Sequence, residues 1–427
     1  MTGPRRPDRE GALLPWLKVL AGLGAVVAVL TPVALALRPD RATTDRAAGA
    51  TGSTAVTATD PAPGTDTTLT PTPSTSSSTT TTTSVPLAAD DGKRSDERRL
   101  EAQFEVRNDD LQPKSIVASG SGLVTAQNMM YRHNVMMFDR SGAVLARIDD
   151  TVDLAAFGIE GGVVAQGSPV EAVFTPDDRF VYVSNYKMYG SGFNPVASDD
   201  CNEGDWDDSY VYKIDTTTFT IVAVIPTGSV PKFMAISPDG SRLLVSNWCG
   251  FDVTIVDLAT DTPITRVHAG RHPRGIAITA DSRTAYVAVM GDATILRLDL
   301  STNTVVGTVG DVGTTPRHLL LSPDGRYLYV SNHRQNLVRK IDLAANRTIG
   351  TASTGTETRS MAIADDGESL YVVNYQDGTV SKVRTSDMEI LQTLPTGVHP
   401  VGITYDPETR QVWVANYAGS LSVFVDR

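Results

Sequence analysis

One phrase recurs along the C-terminal part of this chain, and it limits the possible folds more than any other feature. Pro316–Asn332 reads PRHLLLSPDGRYLYVSN. Its two runs, HLLL and YLYV, are too short for helices and rich in residues that suit a pleated surface, so they read as a β-hairpin. The Asp-Gly between them supplies the left-handed backbone that a tight turn needs. The phrase returns from Val230 as VPKFMAISPDGSRLLVSN, from His272 as HPRGIAITADSRTAYVAV and from Glu357 as ETRSMAIADDGESLYVVN.

The residue closing each second strand sets the register: Asn128, Asn185, Asn247, Val289, Asn332, Asn374 and Asn416, with steps of 42, 43, 42 and 42 after Asn247. A third strand ends ten residues on, at Asp257, Asp299, Asp342, Arg384 and Asp426. A looser fourth, such as NTVVGTVG from Asn303, leads into the next copy. Four strands in about 42 residues is the period of a propeller blade. Seven such anchors predict an all-β, seven-bladed β-propeller over residues 101–427. The chain stops just after the third strand of the last blade, SLSVFVD, while EAQFEVR (Glu101–Arg107) lies upstream of the first with alternating character. That segment is expected to supply the missing outer strand and close the ring.

The N-terminal hundred residues read differently. Arg5, Arg6, Arg9 and Lys18 precede an uncharged apolar run, Val19–Leu37, close to the ~20 residues that span a bilayer. Basic residues on its N-terminal side place residues 1–18 in the cytoplasm and the rest outside. Residues 19–37 thus read as a transmembrane anchor, with a signal peptide cleaved near Ala34-Leu35-Ala36 as the competing reading; both export the remainder. Residues 38–100, centred on STSSSTTTTTS, read as a low-complexity Thr/Ser/Pro stalk unable to bury a core. A formal net charge of −12 argues against general nucleic-acid binding.

Tyr-Val-Ser-Asn after a Ser-Pro-Asp-Gly turn, with Ile-Asp or Val-Asp ten residues on, resembles the YVTN family of β-propeller repeats, the YncE-like proteins. The resemblance covers roughly residues 115–427. It implies a propeller of surface-layer or periplasmic type; similar propellers occur in lactonases and in subunits of redox enzymes. Val289, Arg384 and a degenerate first copy, ASGSGLVTAQN, depart from the pattern.

Most repeated residues are scaffold. The strand-end aspartates are expected to cap the following turns, and the anchor asparagines to satisfy backbone groups. Two features do not follow from the fold. The position after the first residue of each inner strand is Val170, Lys232, Arg274, Arg317, Arg359 and Val401 from blade two onward, with His318 beside the third basic residue. Lys232, Arg274, Arg317, His318 and Arg359 are therefore a candidate anion site at one mouth of the channel, since guanidinium forks match carboxylate and phosphate. The alternative is that each basic residue pairs with an acid or carbonyl of a neighbouring blade.

The second feature is a twenty-residue insertion in blade two, within Tyr186–Tyr210, opening on that same face. It brings Cys201 beside Cys249 of the next blade, and export predicts a disulfide between them. Asp199, Asp200, Glu203, Asp205, Asp207 and Asp208 suggest a calcium loop by density but not by spacing. They read as a solvated loop or one folded onto the basic arc, and no metal ligands are assigned. About fifteen further residues, around Asp149–Gly162, lengthen the connection from blade one to blade two.

No nucleophile motif, phosphate loop or metal helix is present, and no cofactor or catalytic residue is assigned. The expected role is an exported binding or scaffold module. Its partner would be a protein, a cell-envelope polymer or a small anionic ligand, held at the insertion-bearing face. The alternative is a lactonase-like hydrolase using Glu171 and His318; His272 and His399, which precede prolines, read as ordinary loop residues. A redox-enzyme subunit lacks heme or quinone signatures in the sequence.

Overall fold

The computed structural model describes residues 85–129, 132–159, 164–165, 167–185 and 201–427. The expected tail, membrane segment and stalk up to residue 84, and the insertion from Tyr186 to Asp200, lie outside the described residues. Among the described residues no helix is long and apolar enough to cross a membrane.

Seven four-stranded sheets follow one another, each pairing neighbouring strands antiparallel. Their inner strands are Pro113–Ala118, Pro169–Phe174, Pro231–Ile236, Pro273–Ile278, Pro316–Leu321, Thr358–Ile363 and Pro400–Asp406, in blades one to seven. Each contacts the inner strand on either side, so the seven form a closed ring. The predicted anchors close the second strand in every blade, from Val124–Asn128 to Gln411–Asn416.

Burial follows from that arrangement. A blade is covered by a neighbour on both faces, so second strands such as Ser369–Asn374 are buried throughout. Outer strands such as Thr262–His268 are largely exposed. The core is correspondingly divided, with one apolar cluster at each of the seven blade contacts. Where blades approach most closely a side chain would not fit: a Cβ on Gly275 would lie 2.7 Å from the Arg317 carbonyl oxygen, and one on Gly402 would lie 2.8 Å from Ser115 Cα.

Leu100–Arg107 forms the outer strand of blade seven, from Leu100 opposite Asp426 to Arg107 opposite Ser420. Contacts begin upstream of it, in residues expected to belong to the stalk. The amide and hydroxyl of Ser95 each donate to Asp366 at 2.6 Å, and Arg98 and Arg410 both bind Asp91. The extra residues between blades one and two form a small ribbon, Val152–Asp153 with Val164–Ala165, and a short 3-10 helix, Leu154–Phe157, packed on blade two.

Candidate functional site

The channel mouth is shaped by a repeated backbone device. Val230, His272, Thr315, Glu357 and His399, each just before an inner strand, have positive φ, between 50° and 60°. Non-glycine residues seldom adopt that conformation unless the surroundings enforce it. Here the carbonyl of each accepts a hydrogen bond from the residue after the anchor, as His272 O does from Met290 N at 3.0 Å. The strand then opens on a β-bulge: pairing jumps from Pro231 to Phe233 and from Pro316 to His318. The residue left out of register is the basic one, and bulges commonly re-aim side chains beside functional sites.

The structure brings the predicted cations together and adds one. Lys114, after Pro113, occupies the same bulged position in blade one. Burial, then the charges of Lys232, Arg359, Arg274 and Arg317, push its ammonium well below the usual lysine range. The mouth therefore gathers Lys114, Lys232, Arg274, Arg317 and Arg359 from five blades. Three rest on aromatic faces: Lys114 on Tyr417 at 5.5 Å, Lys232 on Trp248 at 4.7 Å and Arg359 on Tyr375 at 3.4 Å. Such contacts stabilise a cation without neutralising it. Arg359 also pairs with Glu357 at 3.1 Å. Burial works against the Glu357 charge, yet hydrogen bonds from Gln376 and Arg359 hold its carboxyl below the usual range. Among the described residues the Lys114 ammonium forms no hydrogen bond or ion pair. Its position was legible as Pro113-Lys114 beside Pro231-Lys232, but the degenerate first copy hid the alignment.

The two valines in this series, Val170 and Val401, are buried for separate reasons. Val170 packs in a cluster with Cys201, Trp206, Trp248 and Cys249, and Val401 packs between blades seven and one. Cys201 and Cys249 are joined by a disulfide, Cα to Cα 5.7 Å, as the sequence predicted. His272 stacks on Trp248 at 4.3 Å, with Nε2 3.3 Å from the Cys201 carbonyl oxygen, so the pinned loop abuts the start of blade four's inner strand. His399 stacks on Tyr375 at 4.5 Å. Both histidines are packing residues. Three acids of the insertion are engaged elsewhere: Asp208 pairs with Arg266 at 2.7 Å and Glu203 with His268 at 3.7 Å, on blade three's outer strand, while Asp205 binds Asn202. Among the described residues no group of acids, cysteines and histidines could hold a metal ion.

Below the mouth lies a cavity of about 280 Å³ lined by Ser115, Glu171, Phe233, His318, Ser360 and Gly402, among others. These six each follow the bulged position in their strand. Burial pushes the Glu171 carboxyl up to about 7, against the pull of Arg274 and Arg317. Burial, then Arg274 and Arg317, pushes His318 down to about 3, and burial pushes His333 at the rim down to about 4. Both imidazoles are neutral near pH 7. His318 Nδ1, His333 Nδ1 and Arg359 Nε are buried without a hydrogen-bond partner.

The molecule is a seven-bladed β-propeller with a cationic channel mouth. Residues 286–419 match the family described as the cytochrome D1 heme domain, less than half of the 427-residue chain. No curated protein matches the sequence. Among solved structures, Kuenenia stuttgartiensis hydrazine synthase is similar with a TM-score of 0.58 at 18% identity, covering 74% of this chain and 96% of that one. A chain in the crystal structure of the mitotic checkpoint complex is similar with a TM-score of 0.58 at 12% identity, covering 77% and 90%. At such identities the likeness is one of fold. The described channel does not fit a heme. Its 280 Å³ falls just below the range of about 300–1,000 Å³ for pockets that enclose small ligands, and a macrocycle needs more. His318, the cavity's one imidazole, is turned edge-on to Phe233 at 5.2 Å.

Proposed function

We propose that this chain is an exported, membrane-tethered propeller of YVTN-repeat type that works by binding. An anionic ligand or partner is held at the face carrying the insertion, by Lys114, Lys232, Arg274, Arg317 and Arg359. The observation that carries this reading is the placement of lysines and arginines from five blades at the equivalent position of the inner strand, close enough together for the other four to bear on Lys114. An anion arriving there meets several basic side chains at once, and a basic mouth on an acidic protein steers anions to one place. The apolar run at 19–37 supports the tether, and the Cys201–Cys249 disulfide supports an oxidising compartment.

The test is binding of anionic probes, inorganic pyrophosphate and polyglutamate, to the wild type and to a protein with Arg274→Ala and Arg317→Ala together. The double variant is expected to lose binding. Binding unchanged, with only a lower melting temperature, would make the arc structural. One observation favours a second reading, a lactonase-like hydrolase: Glu171, held near pKa 7, is poised for general acid–base work in the same cavity as His318. A lactone-hydrolysis assay decides it, because turnover that is absent, or survives Glu171→Gln, removes that role.

A further inference from the structure

The hairpins that join first to second strands lie at the far ends of the inner strands from the mouth. At that face blade seven holds a segment of its own chain. Val85, Pro86, Ala88 and Ala89 line a groove there with Gln103 and Arg410. The Ala88 amide donates to the Glu408 carbonyl at 2.7 Å. Arg410 donates to the Ala89 carbonyl at 2.8 Å and to the Asp91 carboxylate at 3.1 Å. One hairpin carbonyl and one guanidinium thus take up an irregular, acidic stretch of chain.

Blade four repeats this groove, about 530 Å³ in volume and lined by Arg283, Tyr286, Arg297, Asp299 and Val306 among others. Arg283 is the counterpart of Arg410: its carbonyl accepts from Leu300 N as that of Arg410 does from Asp426 N. Val306 and Gln103 are the residues left out by the same outer-strand bulge. The equivalent position is Ser241 in blade three, while Arg179 lies over the Phe180 ring at 5.2 Å and Arg326 pairs with Asp342 at 3.2 Å. The exposed Arg283 and Arg297 guanidiniums make no hydrogen bond or ion pair among the described residues. The nearby acids are committed to their own turns, Asp281 to Thr279 and the Arg283 amide, Asp299 to Ser301.

We propose that the blade four groove docks an acidic peptide segment of a partner protein, laid along the hairpin as Ala88–Asp91 is in blade seven. The Asp281 carbonyl receives an amide of the segment, and Arg283 grips a carbonyl and a carboxylate. Arg297 offers a second guanidinium, and the exposed Val306 an apolar contact. A second copy's own Ala88–Asp91 is already seated in its blade seven, which leaves another protein as the source. The site lies on the opposite face from the mouth and is independent of the anion-binding reading.

Fluorescence anisotropy of the full chain with a labelled, acetylated peptide of residues 85–91, VPLAADD, tests this. The peptide is expected to bind saturably, and Arg283→Ala to weaken it by about tenfold or more. Arg283 is exposed, so that variant should melt with the wild type, which separates a lost contact from lost folding. Asparagine in place of both peptide aspartates should weaken binding likewise. No binding up to about 1 mM peptide overturns the proposal, and so does equal binding of the reversed sequence, the mark of a loose charge patch. Binding that ignores Arg283→Ala also overturns it: loss in Arg410→Ala would then mean exchange with the chain's own segment, and loss in the Arg274→Ala, Arg317→Ala double variant would put the peptide at the mouth. A concentration-dependent dimer abolished by Arg283→Ala would give the groove to a second copy and overturn the assigned partner.

Discussion

Asp426 holds the strand-end position where the repeat predicts a turn cap, and its counterparts in other blades show that role. Asp215 accepts from the amides of Thr217 and Thr218, and Asp299 from that of Ser301. Asp426 instead is fully buried, taking the Lys382 ammonium on one oxygen and the Tyr371 hydroxyl on the other at 2.6 Å. Lys382 also donates to the carbonyls of Ser95 and Arg98. The sequence pattern could not show this, because those partners lie more than 280 residues upstream in the chain. Replacing Lys382 by Met leaves a buried carboxylate uncompensated and should cost about 3–5 kcal/mol, measured by urea unfolding; a loss under about 1 kcal/mol would show the pair to be incidental. Glu171 makes a pH-dependent prediction. The folded chain keeps its proton up to about 7, where the unfolded carboxyl releases it near 4.5. Stability therefore falls as pH rises through that window and is level beyond it. His318 and His333, held neutral down to about 3 and 4, work in the opposite sense up to their ordinary 6.5. Glu171→Gln isolates the carboxyl: its melting temperature relative to wild type should climb between about pH 4.5 and 7, then stay constant. A difference flat with pH would place Glu171 in water.

Among elements, the strand Leu100–Arg107 matters most, because it joins the two ends of the ring. Its pairing with Ser420–Asp426 was legible from a blade that lacked its fourth strand and an alternating segment with no other partner. The docking of Ser95 and Arg98 was not, since a polar stretch carries no period. Deleting residues 101–107 should sharply lower the melting temperature, and an unchanged value would refute strand closure. The insertion offers a second case. The cysteine pair followed from blade adjacency, whereas the orientation of Asp208 and Glu203 toward Arg266 and His268 depended on the path of the loop. The disulfide spans 48 residues, so Cys249→Ser, read by unfolding under oxidising conditions, should cost about 4 kcal/mol on chain-entropy grounds. Lys114 marks the limit of reading by alignment. Blade one lacks the Pro-Asp-Gly hairpin that set the register elsewhere, so its cation escaped notice although its bulge is the same.

For the whole molecule, seven separate apolar clusters between blades make the scaffold tolerant of what happens at its mouth. The mouth meanwhile gathers lysines and arginines from five blades in a protein of net charge −12. Such a mouth should bind anions less tightly as salt rises, because screening weakens both attraction and steering. Titrations between about 50 and 500 mM salt should show it, while affinity indifferent to salt would point to the apolar cavity walls instead. The most direct test is a crystal of the protein soaked with selenate, located by its anomalous signal. The account predicts a selenate bound between Lys114 and the guanidinium groups of Arg274, Arg317 and Arg359. A mouth without selenate, its arginines engaged by carboxylates of the insertion, would contradict it.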